Sequence, residues 1–563
     1  MNKAKISPSQ VWDEIHHELT DLFPTNDFNI VNWAVDRHAG GSDGDRPALC
    51  WFDGDGGVRT ISYTELKAQT HRFANTLGHL GIKRGERVFT LAGCIPELYI
   101  AALGTLRYGA VFCPLFTDFG PQPIYQRLTK GDARVLVTTR SLYTRKIAGI
   151  RRRLPRLTHI LLTDLPKTAP GPGARDPGVT SLEALLRRAS PCCRTAVAAP
   201  EDWAVIHFTS GTSGSPKGAV HVHDGLRVLY LTAKHVLKLG HQDVFWCTAD
   251  PGWITGVAYG MIAPLVIGAT VVVQGEGFDA IHWCRILSEQ QVTVWYTSPT
   301  AIRRLMRLDP GHFKAYDFSR LRFTFSVGEP LAADAVLWGQ KVLGCPIRDT
   351  WWQTETGGIM IAQIPGEELR PGAMGCPVPG IEAALVRKTD AGNIEFIRKP
   401  QATGELALKS GWPSMFRDYL HDSARYRKSF AQGWYLTGDL ARRDQEGYFW
   451  FVGRADEVIL TAGHLVGPFE VERVLTAHPA VSEAGVVGRP DAVAGEVVKA
   501  YVSLKKKVQD HQLMTRELLG FARRQLGPAL APREIEIVDK FPKNQAGKIL
   551  RRELKTHGMK PAM

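Results

Sequence analysis

Apolar residues along this chain recur at two spacings, and the alternation between the two predicts an α/β fold. Short apolar runs typical of buried strands occur at 48–52, 87–91, 110–115 and 135–138. Amphipathic stretches typical of helices occur at 62–81 and 97–108, and an introductory helix is expected within residues 1–45. Strands that alternate with helices in this way indicate βαβ units and a mostly parallel sheet.

A second series of strands follows a connection, at 165–200, that is rich in proline, glycine and arginine. Its strands are predicted at 203–208, 219–223, 244–249, 270–273, 292–296 and 321–327. Between about 365 and 450 the β runs become short and are separated by glycine and proline, which is typical of a small barrel or sandwich. The rest of the chain, to residue 563, is predicted to form a separate α+β unit. We therefore expect an N-terminal domain, 1–455, with two βαβ-type sheet subdomains and a small β-barrel-like subdomain, and a C-terminal α+β domain, 456–563.

Composition narrows the class of protein without deciding its function. The 563 residues are 44% hydrophobic and 22% charged, as in a soluble globular protein. The polar N-terminus lacks the apolar core of a signal peptide, so we expect a cytoplasmic protein without a membrane segment. The nine cysteines are scattered and indicate neither a zinc site nor a disulfide framework. The net charge of +13 would suit an anionic partner, either nucleic acid or a nucleotide with a phosphorylated cofactor.

One loop between two predicted strands, Thr209–Gly218, combines glycines, hydroxyl side chains and Lys217. Glycines let backbone N–H groups approach an anion closely, hydroxyls add donors and lysine adds a positive charge. The loop is not a Walker A motif, because Pro216 precedes the lysine and a glycine follows it. By itself it is either a polyphosphate-binding loop or a polar surface loop.

Further segments carry side chains that are costly to bury without a ligand. They are Asp349–Gly358, Tyr435–Asp439, Gly453–Glu457, Thr461–Glu472 and Pro542–Arg552. In order and spacing, together with the Thr209–Gly218 loop, they resemble the motifs of the adenylate-forming superfamily of acyl-CoA synthetases, luciferases and peptide-synthetase adenylation domains. The resemblance runs from roughly residue 29 to residue 555. Within the superfamily it is closest to the acetyl-CoA synthetases, on Asp349–Gly358, Thr248–Gly256, Tyr296–Arg303 and Asp36–His38.

The resemblance implies a reaction in two halves. A carboxylate attacks the α-phosphorus of Mg-ATP to give an acyl-adenylate and pyrophosphate, and the thiol of coenzyme A then displaces AMP. Glu355 would help to hold Mg²⁺, and Trp351 would stack on adenine. The residues implied to contact ATP or AMP are Thr209, Ser210, Gly211, Thr212, Ser213, Gly214, Lys217, Gly328, Glu329, Pro330, Asp349, Thr350, Trp351, Gln353, Thr354, Asp439 and Arg454.

The resemblance also assigns the catalytic residue and the thiol site. Lys548 would bridge the carboxylate and the α-phosphate, and Asp456 would be the hinge about which the C-terminal domain rotates. Rotation would bring Gly463 and Ala462 to the thiol tunnel. Arg523 and, more weakly, Arg145 are candidates for the phosphates of coenzyme A, although each could equally be a solvated surface charge. In this family the same lysine can be silenced by acylation, so a lysine acyltransferase and a deacylase are expected partners.

The size of the acid can be argued from the residues that line the acyl pocket in the resemblance, which are Ile254, Thr255, Val327 and Trp352. The indole of Trp352 fills the volume that a longer chain needs, and a filled pocket rejects larger acids by steric clash. The expected order is acetate, then propionate, with poor use of butyrate or longer acids.

Two departures from the pattern are visible, and other functions stay open. Leu465 stands where acetyl-CoA synthetases usually have arginine, and the run Lys543–Ala546 also varies. The alternatives are a ligase for propionate or another short acid, a stand-alone adenylation enzyme that loads a carrier protein, and a non-catalytic nucleotide- or nucleic-acid-binding protein. Intact Lys548, Glu355 and Asp439 argue against the last, so no nucleic-acid partner is expected.

Overall fold

The computed structural model places most of the chain. It describes residues 7–22, 27–52, 57–165, 178–209, 216–275, 277–389, 392–457, 459–461, 464–491, 495–506, 508, 510–527, 530–543 and 549–557. The chain divides into two compact units. Unit 1 comprises Met1–Glu382 and Lys409–Phe430, and unit 2 comprises Ala383–Leu408 and Ala431–Met563. The domain limits 1–455 and 456–563 inferred from the sequence stay a prediction.

The helices begin and end at the following residues: α1 Pro8–Leu22, α2 Tyr63–His79, α3 Pro96–Tyr108, α4 Pro121–Lys130, α5 Arg140–Leu142, α6 Leu182–Arg188, α7 Leu226–His235, α8 Ile254–Val257, α9 Ala263–Ile267, α10 Ala280–Glu289, α11 Pro299–Leu305, α12 Ala333–Val342, α13 Ser423–Lys428, α14 Pro468–Thr476, α15 His511–Leu526 and α16 Arg551–His557. Short π-helical turns occur at Asn32–Asp36, Tyr143–Ile147 and Ala258–Ile262. Local chemistry sets several ends. The Ser62 side chain accepts the Glu65 N–H to start α2, and Gly109, at a φ of 81°, ends α3 in the left-handed region.

Unit 1 contains two large sheets. The strands of the first are β3 Arg87–Leu91, β4 Val111–Pro114, β5 Val135–Thr138, β6 His159–Leu162, β7 Val179–Ser181, β8 Trp203–Thr209, β9 Lys217–Val222 and β20 Asp418–Tyr419, in the order β20-β9-β8-β4-β3-β5-β6-β7. From β8 to β7 neighbouring strands are parallel, whereas β9 pairs antiparallel with both β8 and β20. Strands such as β5 are buried along their whole length, as expected for a parallel sheet covered on both faces.

The second sheet of unit 1 carries most of the candidate site. Its strands are β1 Pro47–Phe52, β2 Val58–Ser62, β10 Val244–Cys247, β11 Thr270–Gln274, β12 Val294–Thr297, β13 Phe323–Ser326, β14 Ile347–Trp351, β15 Ile361–Ala362 and β16 Cys376–Pro377, in the order β16-β15-β14-β13-β12-β10-β11-β1-β2. The strands from β14 to β1 run parallel. Trp246, Trp283 and Trp295 pack in its core.

Unit 2 also contains two sheets. One has strands β17 Ala383–Lys388, β18 Ile394–Phe396, β19 Thr403–Lys409, β21 Phe430–Ala431, β22 Trp434–Arg443 and β23 Phe449–Arg454, in the order β18-β17-β19-β22-β21 with β23 paired to β22. The other has strands β24 Ile459–Thr461, β25 His464–Val466, β26 Val481–Asp491, β27 Gly495–Leu504 and β28 Glu534–Ile537, in the order β25-β24-β27-β26 with β28 paired to β27. Helices α14 and α15 contribute Val471, Leu475, Leu518 and Ala522 to its core.

The α/β class and the two βαβ-type sheets predicted from the hydrophobic pattern are confirmed. The strands expected at 87–91 and 135–138 have these bounds in the structure. Within the described ranges, no helix has both the length and the apolar character needed to cross a bilayer.

Candidate active site

The segment Asp349–Gly358 lies at the carboxyl end of β14, where ligands of open α/β sheets usually bind. Asp349 is buried, and its Oδ1 accepts the N–H of Thr350 at 3.0 Å and the hydroxyl of Ser326 at 3.4 Å. Burial raises the pKa of this carboxyl to about 8, against the opposing effect of these hydrogen bonds and one from the backbone of Leu331. Asp349 is therefore tied to the end of β13 as well as to its own strand.

Trp352, the residue predicted to limit the acyl pocket, is fixed by aromatic neighbours. Its Nε1 donates to the hydroxyl of Tyr296 at 3.0 Å, and that hydroxyl lies 2.8 Å from Thr350 Oγ1. The ring of Tyr259 packs edge-on against the indole at a centroid distance of 5.1 Å. Tyr259 is anchored in turn, because its hydroxyl accepts the N–H of Ile359 at 2.8 Å. The hydrogen bond and the aromatic contact together hold the indole in one orientation.

The other predicted pocket residues follow the carboxyl ends of strands in the same sheet. Ile254 and Thr255 begin α8, directly before the π-helical turn that carries Tyr259. Val327 follows β13, is buried, and donates its N–H to Thr297 O at 3.1 Å, next to Tyr296 on β12. The chain thus leads all these residues to the carboxyl ends of β10, β12, β13 and β14.

A half-buried carboxyl supports the turn before α8. Asp250 Oδ1 accepts the Gly252 N–H at 2.7 Å, and Oδ2 accepts the Thr117 hydroxyl at 2.8 Å. Burial raises the pKa of Asp250 to about 6, with the two hydrogen bonds opposing the rise. Through these hydrogen bonds Asp250 shapes the loop that precedes Ile254.

The predicted metal ligand Glu355 is paired with a phenol that the sequence did not single out. Tyr419 donates its hydroxyl to Glu355 Oε1 at 2.7 Å, and Lys217 Nζ lies 5.3 Å from the centroid of the same tyrosine ring. Burial, together with the adjacent carboxylate, raises the pKa of Tyr419 above its usual range, so this phenol stays protonated. Glu355 and Lys217 are thereby brought to one place in the structure.

The phosphate-binding loop predicted at Thr209–Gly218 is the connection of an antiparallel hairpin. Thr209 ends β8 and stands opposite Lys217, which begins β9. Lys130 of α4 donates to the carbonyl of Pro216 at 3.0 Å and holds the end of the loop. The predicted contacts Ser210, Gly211, Thr212, Ser213 and Gly214 lie outside the described residues.

The turn after Trp352 is packed closely on another segment of unit 1. Gly357 has a φ of +70°, and a Cβ there would stand 2.1 Å from the carbonyl oxygen of Ser414, so only glycine fits. The Ser414 hydroxyl and the Trp412 indole both donate to Thr356 O, at 2.7 and 2.9 Å. Gln353 and Thr354, predicted to contact the nucleotide, are partly exposed in this turn.

The predicted adenine-side residues Gly328, Glu329 and Pro330 follow Val327 and are partly or fully exposed. The Glu329 carboxylate is engaged on both oxygens, by the Thr300 hydroxyl and the Arg303 guanidinium, each at 2.6 Å. Trp351, predicted to stack on adenine, is the last residue of β14 and is largely buried.

In unit 2, the buried Asp439 carboxylate on β22 pairs with the half-buried Arg454 on β23. Arg454 NH1 donates to Asp439 Oδ1 at 2.7 Å. Burial disfavours the guanidinium charge, but the Asp439 carboxylate outweighs it and raises the pKa of Arg454. Gly438, at a φ of +69°, makes this possible, because a Cβ there would stand 2.9 Å from the guanidinium. Asp456, the predicted hinge, is exposed just beyond β23 and lies 3.4 Å from Arg454 Nε.

Lys548, the predicted catalytic residue, lies outside the described residues, but both ends of its segment are fixed in unit 2. Lys543 and Ile549 form an antiparallel bridge, and Leu550 N–H donates to Pro542 O at 2.8 Å. Ile549 packs against a small apolar cluster formed by Val487, Tyr501, Phe541 and Leu554. The described residues on either side of 544–548 are therefore held next to each other in unit 2.

Arg551 forms ion pairs on the C-terminal side of the Lys548 segment. Its guanidinium bonds to Glu457 at 2.7 Å and to both oxygens of Glu472 at 2.8 and 2.9 Å. Burial disfavours its charge, but the two carboxylates outweigh burial and raise the pKa of Arg551.

The structure gives little information on the residues predicted to contact coenzyme A. Arg523, in α15, and Arg145 are both exposed. Gly463 and Ala462 lie outside the described residues, and the side chain of Leu465 is not described.

Comparison with known proteins assigns the family. The model of the AMP-binding enzyme family matches residues 35–420, and that of the AMP-binding enzyme C-terminal domain matches residues 470–548. The chain belongs to the AMP-binding enzyme family. The resemblance to the adenylate-forming superfamily is thereby confirmed.

Relatives of this AMP-binding enzyme resemble it over almost its whole length. An acetyl-coenzyme A synthetase of Bacillus subtilis is 40% identical over 94% of this chain and 91% of its own. One of Rubrobacter xylanophilus is 39% identical over 94% of this chain and 84% of its own. Among solved structures, the anthranilate CoA ligase AuaEII in complex with anthranoyl-AMP is 28% identical with a TM-score of 0.85, covering 95% and 98% of the two chains. ATP-bound MatB from Rhodopseudomonas palustris is 25% identical with a TM-score of 0.81, covering 94% and 99%.

AMP-binding enzymes of this type use Mg²⁺, and the side chains present fit a metal that arrives with the nucleotide. Among the described residues, no group of three or more histidine, cysteine, aspartate or glutamate side chains could hold a metal ion. Glu355 offers a single oriented carboxylate. Magnesium is commonly bound by one or two carboxylates together with substrate phosphates and water, which agrees with this arrangement.

Several residues that contact the predicted site residues were not singled out from the sequence. Tyr296 is part of the Tyr296–Arg303 motif, and Tyr259 lies three residues after the Thr248–Gly256 motif. Listing the aromatic residues in and beside these motifs would have identified both. Tyr419 and Lys130 carry no such signal, because only the folded sheet brings them to Glu355 and Pro216.

Proposed function

We propose that this protein is an acetate–CoA ligase of the AMP-forming type, which converts acetate, ATP and coenzyme A to acetyl-CoA, AMP and pyrophosphate. The observation that carries the choice of acid is the position of Trp352, locked between Tyr296 and Tyr259. An indole held on two sides cannot swing away to admit a longer chain. The similarity to acetyl-coenzyme A synthetases over nearly the full chain supports the same substrate.

In the first half-reaction, an acetate oxygen attacks the α-phosphorus while the bond to pyrophosphate breaks. Little covalent help is needed, and catalysis is mainly positioning and charge neutralisation. We assign the β- and γ-phosphates to the Thr209–Lys217 loop, adenine to the surroundings of Trp351 and Gly328, and the ribose hydroxyls to Asp439. Glu355 would hold the magnesium ion, which when bound neutralises charge on the phosphate oxygens.

Lys548 completes this half-reaction in the proposal, because its ammonium can follow the charge as it moves between acetate and the α-phosphate. In the second half-reaction, the sulfur of coenzyme A attacks the acetyl carbonyl, the thiol proton is lost, and AMP leaves. Gly463, Ala462, Arg523 and Arg145 are assigned to coenzyme A by resemblance, and Asp456 to the hinge. Acylation of Lys548 by a lysine acyltransferase would remove its charge and stop the first half-reaction.

The decisive experiment measures pyrophosphate release with straight-chain acids from one to eight carbons, with and without coenzyme A. We expect acetate to give the highest kcat/KM, propionate to follow, and butyrate and longer acids to react poorly. Preference for octanoate would contradict the assignment of Trp352. Turnover without coenzyme A but with a carrier protein would instead favour a stand-alone adenylation enzyme.

Lys548→Ala tests the assignment of the catalytic residue. The variant is expected to lose ATP–pyrophosphate exchange, since no other cation is assigned to the α-phosphate, and to retain thioester formation from supplied acetyl-adenylate. Lys543→Ala, at the other end of the loop, is the control and should retain exchange. Normal exchange in Lys548→Ala would refute the role given to this lysine.

The cellular setting belongs to the same proposal. Acetate, ATP and coenzyme A are substrates found in the cytoplasm, and we place the enzyme there. A fraction of the protein isolated from its source with acyl-Lys548, active only after deacylation, would support regulation at this residue.

A further inference from the structure

One phenol lies between the proposed metal ligand and the lysine of the phosphate loop. Tyr419 donates its hydroxyl to Glu355 Oε1 at 2.7 Å, and its ring centroid lies 5.3 Å from Lys217 Nζ. Tyr419 itself is only 3% exposed. We propose that Tyr419 is a positioning residue that fixes the Glu355 carboxylate for the metal–nucleotide complex and ties that carboxylate to the phosphate loop. This inference rests on the proposed function.

The backbone around Tyr419 is bonded to both parts of the site. In β20, Tyr419 stands opposite Ala219 of β9, the strand that begins at Lys217. On either side, Leu420 N–H donates to Gly218 O at 2.7 Å and Arg417 N–H donates to Val220 O at 2.8 Å. This register fixes Tyr419 relative to the outgoing end of the phosphate loop.

The same segment is bonded to the turn that carries Glu355. Phe416 N–H donates to Glu355 O at 3.0 Å, so residue 355 is held through both its backbone and its side chain. The Phe416 ring is fully buried and packs against the Tyr419 ring at a centroid distance of 4.9 Å. Segment 416–420 is thus a clamp between two motifs that are far apart in the sequence.

The phenol has a specific chemical task in this clamp. A glutamate side chain has several rotatable bonds and loses much freedom when it is fixed. A hydrogen bond from a buried, neutral donor fixes the carboxylate before the nucleotide binds and leaves its negative charge intact. Lys217, above the face of the same ring, is within cation–π distance. Phenylalanine at 419 would keep the ring and the strand pairing and would lose the hydroxyl, with its hydrogen bond to Glu355 and a side-chain hydrogen bond to Ser429.

The test is a double-variant cycle with ATP binding as its main readout. Wild type, Tyr419→Phe, Glu355→Gln and the double variant are titrated with ATP by calorimetry, in excess Mg²⁺ and in EDTA. The measured quantity is the gain in ATP affinity produced by Mg²⁺. The matched control is Tyr426→Phe, which removes a hydroxyl from another ring packed on Phe416.

We expect Tyr419→Phe to reduce the magnesium-dependent gain by about tenfold, the usual scale for a hydrogen bond to a charged group. The KM for ATP should rise with it, while the KM for acetate and the thermal midpoint stay close to wild type. Glu355→Gln should remove the gain, and adding Tyr419→Phe to it should change nothing further. Tyr426→Phe should match wild type.

Two outcomes would overturn the inference. One is an unchanged magnesium-dependent gain in Tyr419→Phe, and the other is additive losses from the two substitutions. If wild-type protein itself binds ATP no more tightly with Mg²⁺, the proposed function fails as well. A normal wild-type gain that Tyr419→Phe leaves intact refutes the positioning role alone.

Discussion

At the scale of single residues, the substrate range depends on how firmly one side chain is held. Trp352 could be assigned to the acyl pocket from its motif, but the motif does not say whether the indole could move. The hydrogen bond to Tyr296 and the edge contact from Tyr259 answer that question. Both partners lie in or beside motifs visible in the sequence, but their contacts with Trp352 arise only when β12 and the π-helical turn after α8 pack against the end of β14.

Replacing Trp352 with glycine is expected to extend the range of acids. The substitution removes the indole from a pocket whose other walls remain, so longer chains gain volume while acetate loses contact area. We expect kcat/KM for acetate to fall at least tenfold and the optimum to move to acids of about five carbons or more. Each methylene that the enlarged pocket accommodates should contribute about 1–3 kcal/mol of binding in the transition state. Pyrophosphate release across the acid series measures this.

Tyr296→Phe is the companion variant to this test. It keeps the ring but removes the acceptor for the indole, and it should relax the preference for acetate only partly. If Trp352→Gly keeps the acetate preference of wild type, residue 352 does not set the size of the acid.

Asp250 gives a second prediction at this scale, on pH dependence. Burial raises its pKa from 3.8 to about 6. Between these values the folded protein binds more protons at this group than the unfolded chain, so stability falls as pH rises and the cost is complete above about pH 6. Asp250→Asn removes this cost. The variant should therefore gain about 2–3 kcal/mol relative to wild type between pH 4 and pH 7.

Thermal midpoints measured over this pH range check the prediction. The difference between Asp250→Asn and wild type should grow in favour of the variant as pH rises. Asp13→Asn, at an exposed carboxylate, should show no such trend. Asp349 remains in both proteins with a pKa of about 8, so some loss of stability above pH 6 should persist in Asp250→Asn.

At the scale of elements, the strands were the most predictable part of the molecule and the connections the least. Runs such as 135–138 are apolar, β-branched and bounded by turn residues, and the structure gives the same limits. Segment 416–420 carries no comparable periodicity. Its place beside β9 is set by pairing with a strand some two hundred residues earlier, which local sequence does not encode.

The loop that carries Lys548 leads to a prediction about Arg551. Arg551→Met would release the outgoing end of the loop and leave Glu472 without its guanidinium partner. We expect ATP–pyrophosphate exchange to fall by about tenfold or more, given the cost of breaking a largely buried ion pair, while thioester formation from supplied acetyl-adenylate falls less. Both half-reactions are measured on the same preparation.

Lys543→Met is the matched control for Arg551→Met. It breaks the half-exposed pair with Glu483 at the incoming end of the loop and should change exchange by less than about threefold. Equal losses in both half-reactions of Arg551→Met would show that Arg551 stabilises unit 2 in general and has no particular effect on the loop.

At the scale of the whole molecule, the family and its reaction could be inferred from ordered motifs, whereas the contacts that hold unit 1 together could not. Asp36 belongs to an early motif that marks the acetyl-CoA synthetase subgroup. In the structure it pairs with Arg107, whose side chain is completely buried, through two bonds of 2.9 Å. Arg107 also bonds to Thr70 and Thr195. The motif is thus a structural junction between the N-terminal segment, α2, α3 and the connection to β8.

Breaking this junction on one side should destabilise the protein strongly. Asp36→Ala would leave the Arg107 guanidinium buried without a carboxylate, at a cost of about 3–5 kcal/mol. Asp36→Ala combined with Arg107→Met removes both charges and should recover much of that loss. As a surface control, Glu183→Ala breaks an exposed pair with Arg187 and should cost less than about 1 kcal/mol. Urea denaturation at pH 7 measures all three. A double variant no more stable than Asp36→Ala would show that packing around Arg107 matters more than its charge.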